Sequence, residues 1–273
     1  MEHYIKVNPD TNIFVEDINP KGKKIILFIH GWPLNHNAYE YQFNQLPHLG
    51  YRCIGMDTRG FGKSSKPFDG YSYNRLADDV RSVIDALNLH DITLAGHSMG
   101  GATAIRYMSR HRGHGVSKLA LFGAAAPSVT KRPDFPYGLP KEDITKLITS
   151  SLNDRPDMLS NLNPQFFYQH PSAPFLNWFR DLGLEAAGWA TAQCAMTFRD
   201  EFLLDDLSKI KVPTLILHGI HDQICLFSLA EAMHKMIKDS NLVPFQNSGH
   251  GLFYEERDLF NMELVEFIEK GTI

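Results

Sequence analysis

Short aliphatic runs alternate along the chain with longer stretches in which apolar residues return every three or four positions. The runs at 13–18, 24–29, 51–56, 92–95, 118–122, 214–217 and 241–245 are each bounded by Gly, Pro, Asn or Asp. Such bounded runs read as strands. Between them, Leu76, Val80, Val83, Ile84 and Leu87 fall at i, i+4, i+7, i+8 and i+11, which puts them on one face of a helix starting after the polar turn at Ser72. Phe260, Leu264, Phe267 and Ile268 repeat the pattern in a closing helix. Strands alternating with amphipathic helices predict an α/β fold with a mostly parallel central sheet and flanking helices.

One region breaks the alternation. From about 124 to 210 there is no β-branched strand run, and the helical stretches are interrupted by Pro127, Pro133, Pro136, Pro140, Pro156, Pro164, Pro171 and Pro174. The pattern predicts a core domain formed by 1–123 and 211–273, with 124–210 inserted as a helical cap. The insertion is rich in aromatic residues, more than a surface excursion needs, so some should line a pocket and the rest should form the cap's own core. We expect Phe135, Phe166 and Trp189 from the insertion, with Trp32 and Phe122 from the core, to contact substrate.

Composition narrows the function. The chain has 273 residues, enough for one α/β body with an insertion. A 43% hydrophobic and 21% charged chain is neither disordered nor bilayer-embedded in type. Its net charge of -4 leaves no basic excess for a phosphate backbone, so nucleic acid is not an expected partner. Residues 1–17 lack the apolar core of a signal peptide, and the longest clean aliphatic stretch is only 25–29, so no membrane span is expected. Cys53, Cys194 and Cys225 are odd in number and lack CxxC spacing, which predicts reduced thiols in a cytoplasmic protein, with no disulfide framework and no zinc or other metal site. A homo-oligomer is compatible with the sequence but not indicated by it.

The chemistry is concentrated at a few turns. Gly96-His97-Ser98-Met99-Gly100-Gly101 follows the strand at 92–95 and opens a helix through Ala102 and Ala104. A G-x-S-x-G turn in this setting holds its serine in a strained conformation that only small neighbours permit, so Ser98 is the expected nucleophile. A serine hydroxyl needs a base within reach and a third group to orient that base. Downstream, the strand at 214–217 ends in His218-Gly219-Ile220-His221-Asp222, which offers Asp222 as the acid. The strand at 241–245 leads to Ser248-Gly249-His250-Gly251, which offers His250 as the base, in the order Ser, acid, His expected behind such an elbow. Asp222 could instead cap the helix starting near Leu226, but the cap position is nearer Cys225. His97, His218 and His221 read as structural or supporting side chains.

Acyl transfer also needs donors for the oxyanion. The N–H of Met99, at a helix N-terminus, is one candidate, and that of Trp32, after His30-Gly31, is the other. Pro33 pushes Trp32 out of the α region and so controls where its carbonyl points. Asp57-Thr58-Arg59-Gly60-Phe61-Gly62-Lys63-Ser64-Ser65 has no P-loop order, and no GxGxxG unit occurs, so no nucleotide cofactor is expected. That loop reads as structural, with Arg59 pairing a buried acid.

On His30-Gly31-Trp32-Pro33, Asp57-Thr58-Arg59-Gly60-Phe61-Gly62-Lys63-Ser64, Gly96-His97-Ser98-Met99-Gly100-Gly101 and Gly249-His250-Gly251, the chain resembles the α/β-hydrolases. Within them it is most similar to the bacterial aryl esterases and cofactor-free haloperoxidases, or perhydrolases. The resemblance implies a cofactor-independent hydrolase of small acyl or aryl esters working through an acyl-serine. An aromatic residue followed by Pro in the oxyanion loop, matched by Trp32-Pro33, implies perhydrolysis as a side activity. The chain departs from the family pattern at Asp222-Gln223-Ile224-Cys225-Leu226, where Val-Pro or a close equivalent is usual. Aspartate-nucleophile dehalogenases and epoxide hydrolases are excluded by Ser98. A lactonase with the same triad, and a small-molecule receptor or regulatory partner of the same fold, remain as alternatives.

Overall fold

A computed structural model of the chain describes residues 1–271 and contains a single eight-stranded sheet. Thr272 and Ile273, which the sequence assigns to the core, lie outside the described residues. The strands are β1 (Glu2–Asn8), β2 (Thr11–Ile18), β3 (Lys24–Ile29), β4 (Tyr51–Met56), β5 (Ile92–His97), β6 (Val116–Phe122), β7 (Thr214–Gly219) and β8 (Ser240–Phe245), in the spatial order β1-β2-β4-β3-β5-β6-β7-β8. From β4 to β8 neighbouring strands are parallel, while β2 pairs antiparallel with both β1 and β4. The strand at β1 is absent from the sequence reading for a physical reason. It is an edge strand in which only Ile5 is buried, so it carries no aliphatic run.

Side chains alternate across the sheet and so build two cores. In β3, Leu27 and Ile29 join one cluster while Ile26 and Phe28 join the other. The helices before and after the nucleophile turn, α2 (Tyr73–Ala86) and α3 (Met99–Arg110), cover the first face, following the short α1 (Glu40–Phe43) in the chain. Ser72 caps α2 as the polar turn suggested, its hydroxyl accepting the N–H of Arg75.

Between β6 and β7 come α4 (Lys141–Asn153), α5 (Arg155–Phe166), α6 (Ala173–Leu184), α7 (Gly188–Asp200) and the short α8 (Leu204–Leu207). The prolines here mark helix starts as much as interruptions. Pro140 is the N-cap of α4, and Pro156 and Pro174 lie in the first turns of α5 and α6, where a missing N–H costs nothing. Pro164, by contrast, sits inside α5. After β7, α9 (Phe227–Met236) returns to the first face. The short α10 (Leu252–Glu255) leads into α11 (Arg257–Lys270), whose Phe260, Leu264, Phe267 and Ile268 close the second. Among the described residues, no helix is long and apolar enough to cross a membrane.

The loop after β4 is tied to α2 by a buried ion pair. Arg59 Nε and Nη2 donate to the two carboxylate oxygens of Asp79 at 2.6 and 2.7 Å, and both residues are buried. Two parallel charge-assisted bonds fix the guanidinium plane. Asp79→Ala would strand that cation in the core and should cost about 3–5 kcal/mol, read as a lowered urea midpoint. A midpoint equal to that of the unaltered chain would contradict this account of the loop.

Candidate active site

The strand register brings the sequence-distant loops to one rim. Ile29 pairs with Gly96, His97 with Phe122, Phe122 with Leu217, and Gly219 with Phe245. The chain therefore leaves β3, β5, β6, β7 and β8 at the same carboxyl edge of the sheet, where ligands of open α/β sheets gather. His30 to Trp32, Ser98, Gly123, Asp222 and His250 all lie in the segments that follow.

Ser98 joins β5 to α3 with φ 52° and ψ −120°, a conformation L-residues rarely adopt. Three backbone hydrogen bonds hold it there. Its N–H donates to Phe122 O at 2.9 Å, and its carbonyl accepts from Ala102 and Ala125 at 3.1 and 2.9 Å. The turn also needs its glycines. A Cβ on Gly96 would lie 2.5 Å from the carbonyl oxygen of Gly100, and one on Gly100 would overlap the carbonyl oxygens of Ile29 and His30. The helix start can lie this close to β5 at Gly96 and to the end of β3 at Gly100 only because these side chains are missing.

Asp222 and His250 meet in this rim. The Nδ1–H of His250 donates to Asp222 Oδ2 at 2.6 Å, both side chains being buried. The other carboxylate oxygen accepts the N–H groups of Ile224 and Cys225, each at 2.8 Å. Burial alone would raise the Asp222 pKa, but His250 and His218 together hold the carboxyl well below the usual carboxylate range. His218 Nε2 lies 3.3 Å from Asp222 Oδ2 and donates to the carbonyl of Cys225 at 2.6 Å. With Nδ1 donating, His250 keeps its lone pair on Nε2, which is buried and has no hydrogen-bond partner among the described residues. The ring is packed by His97 and Phe166, with centroids 4.5 and 4.7 Å away. His97, adjacent to Ser98, donates from Nε2 to the carbonyl of His250 at 3.0 Å, and burial pushes its own pKa well down, so it is a neutral spacer between the two loops.

The loop after β3 is fixed as firmly. His30 Nε2 accepts the N–H of Thr58 at 3.0 Å, so its Nδ1 carries the proton and donates to Gly31 O at 2.9 Å, in keeping with a pKa lowered by burial. Trp32 Nε1 donates to Thr191 O in α7 at 2.9 Å, which turns the indole inward, and the Trp32–Pro33 peptide is cis. Asp57 Oδ1 accepts both the N–H of His36 at 2.8 Å and its Nδ1–H at 2.7 Å. Met99 is the first residue of α3, so its N–H has no intrahelical acceptor.

Ser98 opens into a narrow apolar cavity of about 40 Å³. Of the aromatic residues proposed from the sequence, Trp32 and Phe166 line it. Three other aromatic residues chosen from the sequence do not. Phe122 ends β6 with its ring turned to the opposite face against Phe260, 4.6 Å away. Phe135 packs on Tyr137 and Phe202 at the edge of the insertion. Trp189 is 42% exposed, donates to Pro67 O and rests on Phe68. The wall is mostly aliphatic instead: Ile144 and Leu147 from α4, Leu162 from α5, and Ile224 with Cys225 from the acid's loop. The signal for α4 was there, since Ile144, Leu147 and Ile148 form an apolar stripe on an otherwise polar helix. His221 stacks on Tyr168 with ring centroids 3.6 Å apart, and His218 lies 3.3 Å from the Asp222 carboxylate. Arg59 does meet a buried acid, Asp79.

Residues 24–145 match the family model described as alpha/beta hydrolase fold, and residues 184–273 match the one described as TAP-like protein. The AB hydrolase superfamily protein YisY of Bacillus subtilis is 51% identical over 98% of this chain and 99% of its own length. A bifunctional esterase/perhydrolase of Acinetobacter calcoaceticus is 30% identical over 97% of this chain and 99% of its own. Among solved structures, an esterase from Exiguobacterium antarcticum superposes with a TM-score of 0.96 at 44% identity, covering 99% of this chain and 100% of that one. A bromoperoxidase from Bacillus anthracis superposes with a TM-score of 0.94 at 32% identity, with the same coverage.

The overlap at Gly100 gives a direct test of the turn. Gly100→Ala should destabilise the fold by about 1–3 kcal/mol through overpacking against the end of β3, measured by urea denaturation. An undiminished midpoint would mean that α3 does not approach the strand this closely.

Proposed function

Because the chain belongs to the α/β-hydrolase superfamily, we propose that it is a serine hydrolase of small carboxylic esters, acyl or aryl, in which Ser98 is the nucleophile, His250 the general base and Asp222 the residue that orients it. The observation that carries this reading is the buried hydrogen bond from His250 Nδ1 to Asp222 at the rim where Ser98 opens α3. It leaves Nε2 as a free base. His250 Nε2 takes the Ser98 Oγ proton as Oγ attacks the ester carbonyl carbon, and the N–H groups of Met99 and Trp32 hold the oxyanion. Collapse of the tetrahedral intermediate breaks the bond to the alcohol oxygen, which receives the proton from Nε2–H. Water then repeats the sequence on the acyl-Ser98, releasing the acid and restoring Ser98. Asp222 stays ionised throughout, since its partners keep it far from protonation near neutral pH.

No step calls on a cofactor. Hydrogen peroxide in place of water in the second half gives a peracid, and Trp32-Pro33 together with the esterase/perhydrolase relative favours this as a side activity. Residues 124–210 serve as the cap, and the three cysteines, free and buried, suit a cytoplasmic enzyme. The cavity sets the acyl group. A volume of about 40 Å³ has room for roughly three or four water-sized units, hence for a short chain. Ile144, Leu147, Leu162 and Ile224 also line a wider outer pocket of about 260 Å³ over α4 and α5, so they form the wall between the reacting centre and solvent.

A fluorophosphonate should label Ser98 in the intact chain and nothing in Ser98→Ala, with much weaker labelling of His250→Ala, all read by mass spectrometry of the labelled peptide. Asp222→Asn should retain the fold and lower kcat by a factor on the order of 10³ to 10⁴. Normal ester turnover by Ser98→Ala would defeat the mechanism. On p-nitrophenyl esters, kcat/KM should fall steeply from acetate and propionate to hexanoate, and Leu147→Ala should raise the hexanoate value about tenfold. Equal rates across the series in the unaltered enzyme would show that the cavity does not select the acyl chain. A panel of lactones run beside these esters separates the lactonase alternative, which a lactone preference of ~100-fold, about 2.7 kcal/mol, would establish.

A further inference from the structure

We propose that Glu255 is a positioning residue, whose carboxylate clamps the His250 loop to the end of α5 and thereby sets the imidazole against Ser98. The proposal rests on His250 being the base. The loop at 246–251 has no strand or helix to satisfy its backbone, so its amides need partners from elsewhere. Glu255, at the end of α10, folds back to supply one. Its Oε2 accepts the N–H of Gly249 at 2.8 Å, while its Oε1 accepts the N–H of Gln169 at 2.7 Å. One half-buried carboxylate thus joins the residue before His250 to the segment that follows α5.

The junction is reinforced from both sides. Gln169 Nε2 donates to Asn247 O at 2.9 Å, and the N–H of Gly251 donates to Phe166 O at 2.9 Å. The Phe166 ring packs edge-on to His250. A Cβ at Gly249 would lie 2.9 Å from the amide nitrogen of Tyr168, so the two segments are already in close contact there. Glu256 holds the loop's other end, its Oε2 accepting from the Asn247 N–H at 3.0 Å and the Ser248 hydroxyl at 2.6 Å. Burial pushes the Glu255 carboxyl above the ordinary glutamate range, against the pull of the amides of Gln169, Gly249 and Tyr168. Both carboxyl oxygens are spent on backbone N–H groups, and what they hold is the loop on which the imidazole's placement depends. Misplacing a reacting group by about 1 Å can cost on the order of 100-fold in rate.

Glu255→Gln keeps the shape but turns one of the two acceptors into a donor facing an N–H, so one tether is lost. With p-nitrophenyl acetate, kcat should fall at least tenfold while KM changes less than threefold. The low-field proton resonance of the His250–Asp222 hydrogen bond should shift or broaden in the same protein. Glu255→Asp, which keeps the carboxylate but is one methylene too short to reach the N–H groups of both Gln169 and Gly249, should lower kcat at least threefold, and it carries the test if Glu255→Gln does not fold. A kcat within twofold of the unaltered enzyme, together with an unmoved resonance, in whichever variant folds overturns the proposal. If the unaltered protein hydrolyses no ester, the functional reading fails instead, and the resonance alone still decides whether Glu255 places the imidazole.

Discussion

A serine at φ 52° and ψ −120° stays in that conformation only while its surroundings leave it no alternative, and much of the rim is arranged to that end. The first turn of α3 lies against Gly96 of β5 on one side and the end of β3 on the other, so neither Gly96 nor Gly100 has space for a side chain. The Ser98 carbonyl ties α3 to the segment after β6 through Ala125. Overpacking at the turn would therefore move three segments together. The elbow is local strain held by non-local packing.

Around this turn, a single buried anion organises the charge. Asp222 is fully surrounded, and its negative charge is met by His250, His218 and two backbone amides. The neighbouring imidazoles are kept neutral by burial, with His97 and His30 both lowered and each used as a fixed hydrogen-bonding strut. His250 faces this carboxylate through Nδ1, while its Nε2 has no hydrogen-bond partner among the described residues. The cavity beyond Ser98 is lined mostly by apolar side chains, and electrostatic interactions on such a low-dielectric wall are stronger than in bulk water.

The parts legible in the sequence were those set by backbone geometry. Strand runs, the period of α2 and α11, and the glycine-flanked turns at Ser98 and His250 follow from local rules of sterics and patterning, and they led to residues the register then gathers at one edge. Edge strand β1 was not legible, because a strand with one buried residue has no hydrophobic signature. The pocket wall follows a different rule, because size alone does not bring an aromatic ring to it: Phe135 packs within the insertion, Trp189 binds Pro67 and Phe68 in the loop after β4, and Phe122 faces the second core. Besides Trp32 and Phe166, the lining includes Ile144 and Leu147 of α4, Leu162 of α5, Phe198 of α7, and Ile224 with Cys225, positions whose role depends on how the insertion folds over the sheet. The clamp at Glu255 was likewise invisible, since it joins residues 86 apart in the chain.

The central claim is that Ser98 and His250 act as one device, and non-additivity measures it most directly. Values of kcat/KM for Ser98→Ala, His250→Ala and the double variant should agree within about threefold, because removing either partner disables the same step. Losses that multiply in the double variant would show two independent contributions and contradict the account.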